Sequence, residues 1–398
     1  MLVRSFPPAR VDRIIVHQFD PARPSPGGID SCIRGILRYL PDGVDVAVVG
    51  VDTGISELGS RRVGQWEEHR LAGGRIFWFL PVASLDPADQ ARKVPHSARL
   101  MLGVLRYRLK LPMADIVQVH RMDSAVALRV LIRRPLAYFI HTQEDGLTGK
   151  TSDSIWRFAA RAHRRLEFSV VQRAKSVVVF NESYSKVVRK VNPYAVFSPT
   201  WFDPRLIQEE LASRDQFKIL WVGRFEVPKD PVLAIETFDR LLQMDPSSPW
   251  SLDMVGSGTL LDLVKSRVNS LPRQTAERIR LMGRVAPEDV AVVMAQSGIF
   301  LMTSHPGYEG FPRVLVESMA SGLPSVVTAG SDTGGLVHDG ITGFVSGRQP
   351  EELAEKLRVA VSLDRDPVRK AVKRLDAPSL VRRILALDHV EIAAVGAS

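Results

Sequence analysis

The chain has 398 residues, 45% apolar and 24% charged, which is ordinary for a globular protein but too long for one ordinary core, so two domains are expected. No stretch reaches the ~18 apolar residues of a membrane span, the first residues lack the charged-then-apolar order of an export signal, and the single cysteine, Cys32, excludes an internal disulfide or zinc-type spacings, so a reducing cytoplasm is the expected setting. The net charge of +9 is uneven: residues 1–210 carry 31 Lys+Arg against 21 Asp+Glu (+10), and residues 211–398 carry 22 against 23 (−1), which suits a first half that meets an anionic lipid headgroup or membrane surface, or else a solvated basic face.

Short β-branched or aromatic runs alternate with longer amphipathic stretches, without repeat or low-complexity tract, and this predicts a parallel α/β architecture. The first strand is expected at 14–19. A Pro-rich loop with Gly27 and Gly28 follows and leads into a helix; such glycines serve a simple turn or the close approach of a phosphate. Strands at 44–51 and 76–80 come next, then a basic stretch holding Arg92, Lys93, Arg99, Arg106, Arg108 and Lys110. The strand predicted at 116–120 ends on His120 and that at 136–141 on His141, with Glu144 and Asp145 just beyond as candidates for acceptor hydroxyls. Parallel sheets bind ligands beyond the carboxyl ends of their strands, so both histidines are site candidates. A second basic stretch, Arg157, Arg161, Arg164 and Arg165 with Trp156, Phe158 and Leu166, reads as an amphipathic helix or an interfacial membrane contact. After a strand at 176–180, two prolines and turn formers at 198–204 break the pattern. Domains are therefore expected at 1–203 and 204–377, with 378–398 returning to the first.

The second half has strands predicted at 218–222, 251–255, 279–282, 299–302, 325–328 and 343–345, and helices at 231–244, 259–269, 287–296, 314–321 and 350–361. Gly223 and Arg224 follow the first of these strands, with Lys229 five residues on. A turning glycine, a guanidinium fork and a mobile ammonium on one strand-to-helix loop suit a diphosphate. Gly256-Ser257-Gly258 forms a second glycine turn, which serves helix entry or lines a phosphate pocket with N–H groups. The densest segment runs from Thr303 to Pro324: a buried strand, a Gly-rich turn with Glu309, Gly310, Phe311 and Pro312, then a helix carrying Arg313, Val314 and Glu317. Carboxylates for diols, with cations and helix N–H groups for a diphosphate, describe a nucleotide sugar.

Glu309 and Glu317, with Gly310-Phe311 after the first, match the EX7E pattern, and in this the chain resembles glycosyltransferase family 4. The resemblance covers residues 217–361 and includes Gly223-Arg224, Lys229, Gly256-Ser257-Gly258, Gly283-Arg284-Val285, Ala320 to Pro324, Gly334-Gly335 and Asp339 to Phe344. It implies a GT-B fold of two facing Rossmann-like domains with a central cleft. It implies that Arg224 and Lys229 bind the donor diphosphate, and that Glu309 holds sugar hydroxyls. The N–H groups of Gly310, Phe311 and Arg313 would lie around sugar and phosphate, with Val314 at the helix start. Glu317 would hold the ribose, the backbone around Val285 the base, and Gly28 the donor phosphate from the other domain. His141 resembles a family position touching donor sugar or acceptor, and His120 a second family histidine. Pro312 departs from the family, which often has glycine there, and a proline has no N–H to donate.

The activity implied is a retaining hexosyl transfer from a UDP- or GDP-sugar to a hydroxyl acceptor, a lipid-linked or polysaccharide precursor. His141, Glu309, Arg224 and Lys229 are the residues nearest the chemistry. No carboxylate is placed as a covalent nucleophile, so front-face attack is expected. No cofactor and no catalytic metal are expected, because the single Asp-x-Asp, at Asp364 and Asp366, lies far from these motifs. A GT-B epimerase acting on UDP-sugars and a silent partner that only binds nucleotide sugars remain as alternatives. No nucleic-acid-binding module is recognisable. A cytoplasmic location, peripheral on the inner face of a membrane, completes the expectation.

Overall fold

The computed structural model describes residues 6–23, 28–54, 61–71, 75–85, 95–141, 160–208 and 214–387. The chain divides into two compact units. The first comprises Met1–His141, Ala160–Ser198 and Pro378–Ser398, and the second Thr142–Ala159 and Pro199–Ala377.

The first unit is built on β1 (Arg10–Val16), β2 (Val46–Asp52), β3 (Glu67–Arg70), β4 (Ile76–Ser84), β5 (Met113–Val119), β6 (Leu136–Ile140), β7 (Ser176–Val179) and β8 (Val196–Phe197). They order as β3-β4-β2-β1-β5-β6-β7-β8, parallel except for β3 against β4. The central strands β2, β6 and β7 are almost wholly buried, which is why they read as unbroken apolar runs rather than alternations. Helices Gly28–Arg38, His96–Tyr107, Met122–Leu131, Ala160–Arg173 and Glu182–Arg189 connect them. Chain order reverses at β1, which lies between β2 and β5, so the carboxyl ends of β1 and β5 flank a topological switch point.

The second unit has β9 (Lys218–Val222), β10 (Ser251–Val255), β11 (Ile279–Gly283), β12 (Ile299–Met302), β13 (Ser325–Thr328) and β14 (Gly343–Ser346). All are parallel, in the order β11-β10-β9-β12-β13-β14, which puts the switch point between β9 and β12. Trp221, Phe225, Phe238 and Trp250 anchor its core with Ile219 and Leu252. The buried Trp221 indole donates to Thr303 Oγ1 at 2.9 Å and so ties the end of β9 to the loop after β12.

One difference from the sequence reading concerns a boundary. The first unit gives way to the second at Ser198–Pro199 rather than after Asp203. Trp201 explains this: it is buried, Arg313 lies over its ring at 5.1 Å, and its carbonyl accepts from Arg313 Nη1 at 2.9 Å. Phe202 also pairs with residues 375–377 through N–H to Leu375 O (3.1 Å) and Ala377 N–H to its own carbonyl (2.9 Å). In the first unit, Arg383 of helix Ala377–Ala386 donates to Phe197 O at 3.2 Å.

Candidate active site

In the second unit the switch point is formed by two loops. The first follows β9 and holds Arg224 and a short 3-10 turn, Val227–Lys229. It ends on Asp230, a non-glycine residue in the left-handed region (φ 45°, ψ 66°) that caps helix Pro231–Met244 by accepting from Leu233 N at 3.1 Å. Arg348 holds that conformation in place: its Nη2 lies 2.5 Å from Asp230 Oδ2, while Nη1 donates to the carbonyls of Thr303 (2.9 Å) and Ser304 (3.0 Å). A strained backbone braced by an arginine between two strand-end loops is the kind of feature kept at ligand sites.

The second loop follows β12 and delivers Ser304, Tyr308 and Glu309. Glu309 is nearly buried; its Oε1 lies 2.5 Å from Lys229 Nζ and accepts from Ser304 Oγ at 2.7 Å. Arg224 Nη2 is 2.5 Å from the Tyr308 hydroxyl, and Lys229 lies 5.7 Å from the centre of the same ring. Arg224, Lys229 and Glu309 are thus brought together as the sequence suggested, with Tyr308, Ser304, Arg348 and Asp230 as members it did not reveal. Tyr308 adjoins Glu309 and Asp230 opens a helix after Lys229, so position alone was available as a signal for these two.

Helix Arg313–Ala320 starts after Pro312, with no side-chain cap. Gly310 and Phe311 form the turn ahead of it; Gly310 O accepts from Thr333 Oγ1 at 2.8 Å, and Phe311 is buried. Val314 lies in the first turn, partly exposed, and Glu317 one turn further on. Burial raises the Glu317 carboxyl to about 7 despite the opposing pull of Arg313. Arg313 itself is turned to Trp201, so its side chain serves the core rather than a ligand, leaving its backbone as the contact the motif implies. Val285 is partly exposed on the loop after β11.

The glycine turns have a structural cause. A Cβ on Gly256 would come 1.8 Å from Gly223 O, and one on Gly258 2.4 Å from Phe225 O. The N–H of Gly223 donates to Val255 O (3.0 Å) and that of Gly256 to Gly283 O (2.8 Å). These two amides extend the sheet and do not face a phosphate, which corrects the idea that the Gly256 N–H lines the pocket. Asp364 caps helix Arg365–Val372 by accepting from Asp366 N at 3.1 Å, which accounts for the Asp-x-Asp.

In the first unit, Gly28 opens helix Gly28–Arg38, and a Cβ there would meet nothing within 4 Å. Gly27, Glu144 and Asp145 lie outside the described residues. His141 follows β6 and stacks on Phe180, ring centroids 4.6 Å apart. His120 follows β5 and is buried, with Nε2 against Gln118 (2.7 Å) and Nδ1 against His141 Nε2 (2.8 Å). Both of its nitrogens are occupied, so His120 stands behind His141 and is not itself an acceptor contact. His17, after β1, adds a third ring 5.8 Å from His120; burial, chiefly, holds it down at about 3.

Residues 216–362 match the family described as Glycosyl transferases group 1. Mannosylfructose-phosphate synthase of Agrobacterium fabrum is 32% identical over 116 residues, 28% of this chain and 25% of that protein. D-inositol 3-phosphate glycosyltransferase of Geodermatophilus obscurus is 29% identical over 164 residues, 38% of this chain and 34% of its own length. One component of the phosphatidylinositol N-acetylglucosaminyltransferase of Homo sapiens is 26% identical over 321 residues, 77% of this chain and 60% of that protein. The chain therefore spans about a quarter to a third of the first two and less than two thirds of the last. Anabaena HepE, solved with UDP and glucose, superposes with a TM-score of 0.68 at 18% identity over 96% of this chain and 100% of that one. Sucrose-phosphate synthase from Thermosynechococcus elongatus gives 0.66 at 17% identity over 95% and 96%. The fold is thus GT-B, as expected, and the likeness in sequence to glycosyl transferases is carried by residues 216–362.

Proposed function

We propose that this protein is a retaining glycosyltransferase that moves a hexosyl group from a UDP- or GDP-sugar to a hydroxyl of a lipid-linked or polysaccharide precursor. The observation that carries the reading is the Lys229–Glu309 pair, 2.5 Å apart at the switch point of a parallel sheet, with Arg224 on the neighbouring Tyr308. Arg224 and Lys229 take the diphosphate, and Glu309 accepts from sugar hydroxyls once Lys229 is shared with phosphate. Glu317, in the helix that begins at Arg313, takes the ribose diol. The acceptor oxygen forms the new bond to the anomeric carbon on the face from which the diphosphate leaves. The bond to the phosphate oxygen breaks, and that oxygen receives the acceptor proton. Arg224, Lys229 and the helix N-terminus stabilise the charge that develops there, so the reading needs no metal. Among the relatives, one is a synthase and one a glycosyltransferase by name, and the HepE structure holds UDP and glucose. The test is transfer and donor hydrolysis across UDP-, GDP- and ADP-sugars, with the anomeric configuration of the product read by NMR. Retention with one donor class is expected. An inverted product, or no binding of any nucleoside diphosphate, would sink the reading.

Attachment to an anionic membrane is a second component. No helix among the described residues is long and apolar enough to cross a bilayer. Helix His96–Tyr107 and the turn Arg108–Lys110 instead expose Leu102 (63%), Leu105 (40%) and Leu109 (91%) beside Arg99, Arg106 and Arg108. Apolar wedges among cations suit the headgroup region, each exposed cation contributing about 1 kcal/mol. Lys110 is less available, since its Nζ donates to Gly64 O at 2.7 Å. Co-sedimentation with anionic vesicles that fades at high salt is expected, and equal binding to neutral vesicles would remove this component.

A further inference from the structure

A line of polar side chains runs through the first unit to His141. Strand register puts its members on one face: Arg13 pairs with Ile116 across β1 and β5, so it shares a face with Gln118 and His120, and Gln118 pairs with Ala137 across β5 and β6, which gives His141 the same side. Arg13, Gln118 and His120 are all buried. Arg13 Nη1 lies 2.5 Å from Gln118 Oε1, Gln118 Nε2 lies 2.7 Å from His120 Nε2, and His120 Nδ1 lies 2.8 Å from His141 Nε2.

The direction of each bond follows from its first member. A guanidinium has donors and no acceptor, so it fixes the oxygen of the Gln118 amide toward itself and the NH2 toward His120. His120 Nε2 must then accept. A neutral imidazole carries one proton, so that proton is on Nδ1 and is donated to His141 Nε2. His141, accepting there, carries its own proton on Nδ1. A doubly protonated His120 would set N–H against N–H at Gln118. Burial, reinforced by His141, His17 and Arg13, independently holds His120 neutral. Burial also lowers Arg13, to about 9, which leaves it a cation at neutral pH.

The geometry points to a polarised relay, Arg13 to Gln118 to His120 to His141, that locks His141 as the neutral Nδ1–H tautomer, in which Nδ1 carries the proton and Nε2 accepts from His120, so that neither nitrogen serves as a base. Arg13, Gln118 and His120 are its positioning residues. Removal of the acceptor proton then falls to another group. Only that last assignment rests on the glycosyltransferase reading; the tautomer stands without it. Cys32, His120 and His141 also bring ligand atoms within 4.8 Å of one another. A metal there would need the lone pair that the His120 Nδ1 proton occupies, so the two arrangements are alternatives that one spectrum separates.

The experiment is a long-range 1H–15N correlation spectrum of the full-length protein, labelled at the imidazole nitrogens, at neutral pH without substrate. Protonated Nδ1 and bare Nε2 at both His120 and His141 are expected. A protonated Nε2 at either ring, or a proton-free Nδ1 on His120, overturns the relay. Gln118→Glu reverses it, because a carboxylate accepts from both Arg13 and His120: both rings should switch to Nε2–H, leaving His141 Nδ1 an acceptor. Unchanged spectra in a folded Gln118→Glu protein also overturn the proposal. If that variant does not fold, the wild-type spectrum decides alone. Turnover is the separate reading: Gln118→Glu should lower kcat/KM about tenfold or more, equivalent to ~1.4 kcal/mol, mainly in kcat. A native spectrum as expected with no transfer from any donor would count against the glycosyltransferase reading and leave the relay standing.

Discussion

Replacing Lys229 by alanine separates the two roles its ammonium plays. It lies 2.5 Å from Glu309, with side-chain exposures of 16% and 11%, so the pair is largely shielded from water. Without Lys229 the Glu309 carboxylate keeps Ser304 Oγ as a donor, and one charge-assisted bond is lost, worth ~1.5–3 kcal/mol. The same ammonium is the point charge offered to a diphosphate, so a similar loss is expected in binding. At about 1.4 kcal/mol per factor of ten, Lys229→Ala should weaken UDP or GDP roughly ten- to a hundredfold by calorimetry. The pair also predicts an opposite sign for its partner. In the empty site Glu309 competes with phosphate for Lys229, so Glu309→Gln frees the cation and should hold or tighten the diphosphate alone. It should nevertheless cut transfer from the intact donor, because the sugar hydroxyls lose their carboxylate. Lys229→Ala binding diphosphate like wild type, or Glu309→Gln weakening it as much as Lys229→Ala, would refute this division of labour.

Glu317 supplies a pH test. Its folded carboxyl is raised to about 7, so between the ordinary 4.5 and 7 the folded state binds more protons than the unfolded one, and this residue's contribution to stability falls as pH rises through that window. Glu317→Gln should match wild type near pH 4.5 and exceed it at pH 8 in urea unfolding, and a gap that does not change with pH would count against the burial. Gly256→Ala places a Cβ 1.8 Å from Gly223 O at φ +142°, so a loss of at least ~1–3 kcal/mol or failure to fold is expected by the same assay. Gly28→Ala meets nothing within 4 Å and should be neutral or stabilise by up to ~1 kcal/mol, so a fall in donor turnover at unchanged stability is the expected sign of phosphate approach, and full turnover would remove Gly28 from the site. Leu105→Glu with Leu109→Glu should release the protein from anionic vesicles at a salt concentration that retains wild type, and equal retention would leave those leucines out of the contact.

What could be read from the sequence depended on whether a feature was local. Strands β9, β10, β12 and β13 fall where their apolar runs end, since strands buried on both faces need no partner to be recognised. The strand Glu67–Arg70 was not foreseen, because Glu-Glu-His-Arg has no apolar periodicity. It is an antiparallel edge strand on β4, where charge discourages further pairing. The two-residue β8 is too short to leave a pattern. The site divides the same way. Arg224, Lys229, Glu309 and Glu317 were visible through their spacing around glycines and a helix start. Arg348, which braces Asp230 and the carbonyls after β12, lies 118 residues from Asp230 and carries no local mark. His120 shows the limit most clearly. At the end of a strand its sequence position equals that of His141, and only the pairing of β1 with β5 sets Arg13 and Gln118, 105 residues apart, behind it. Two histidines that look alike in the chain are thereby separated into one buried among these partners and one that is only partly buried after β6.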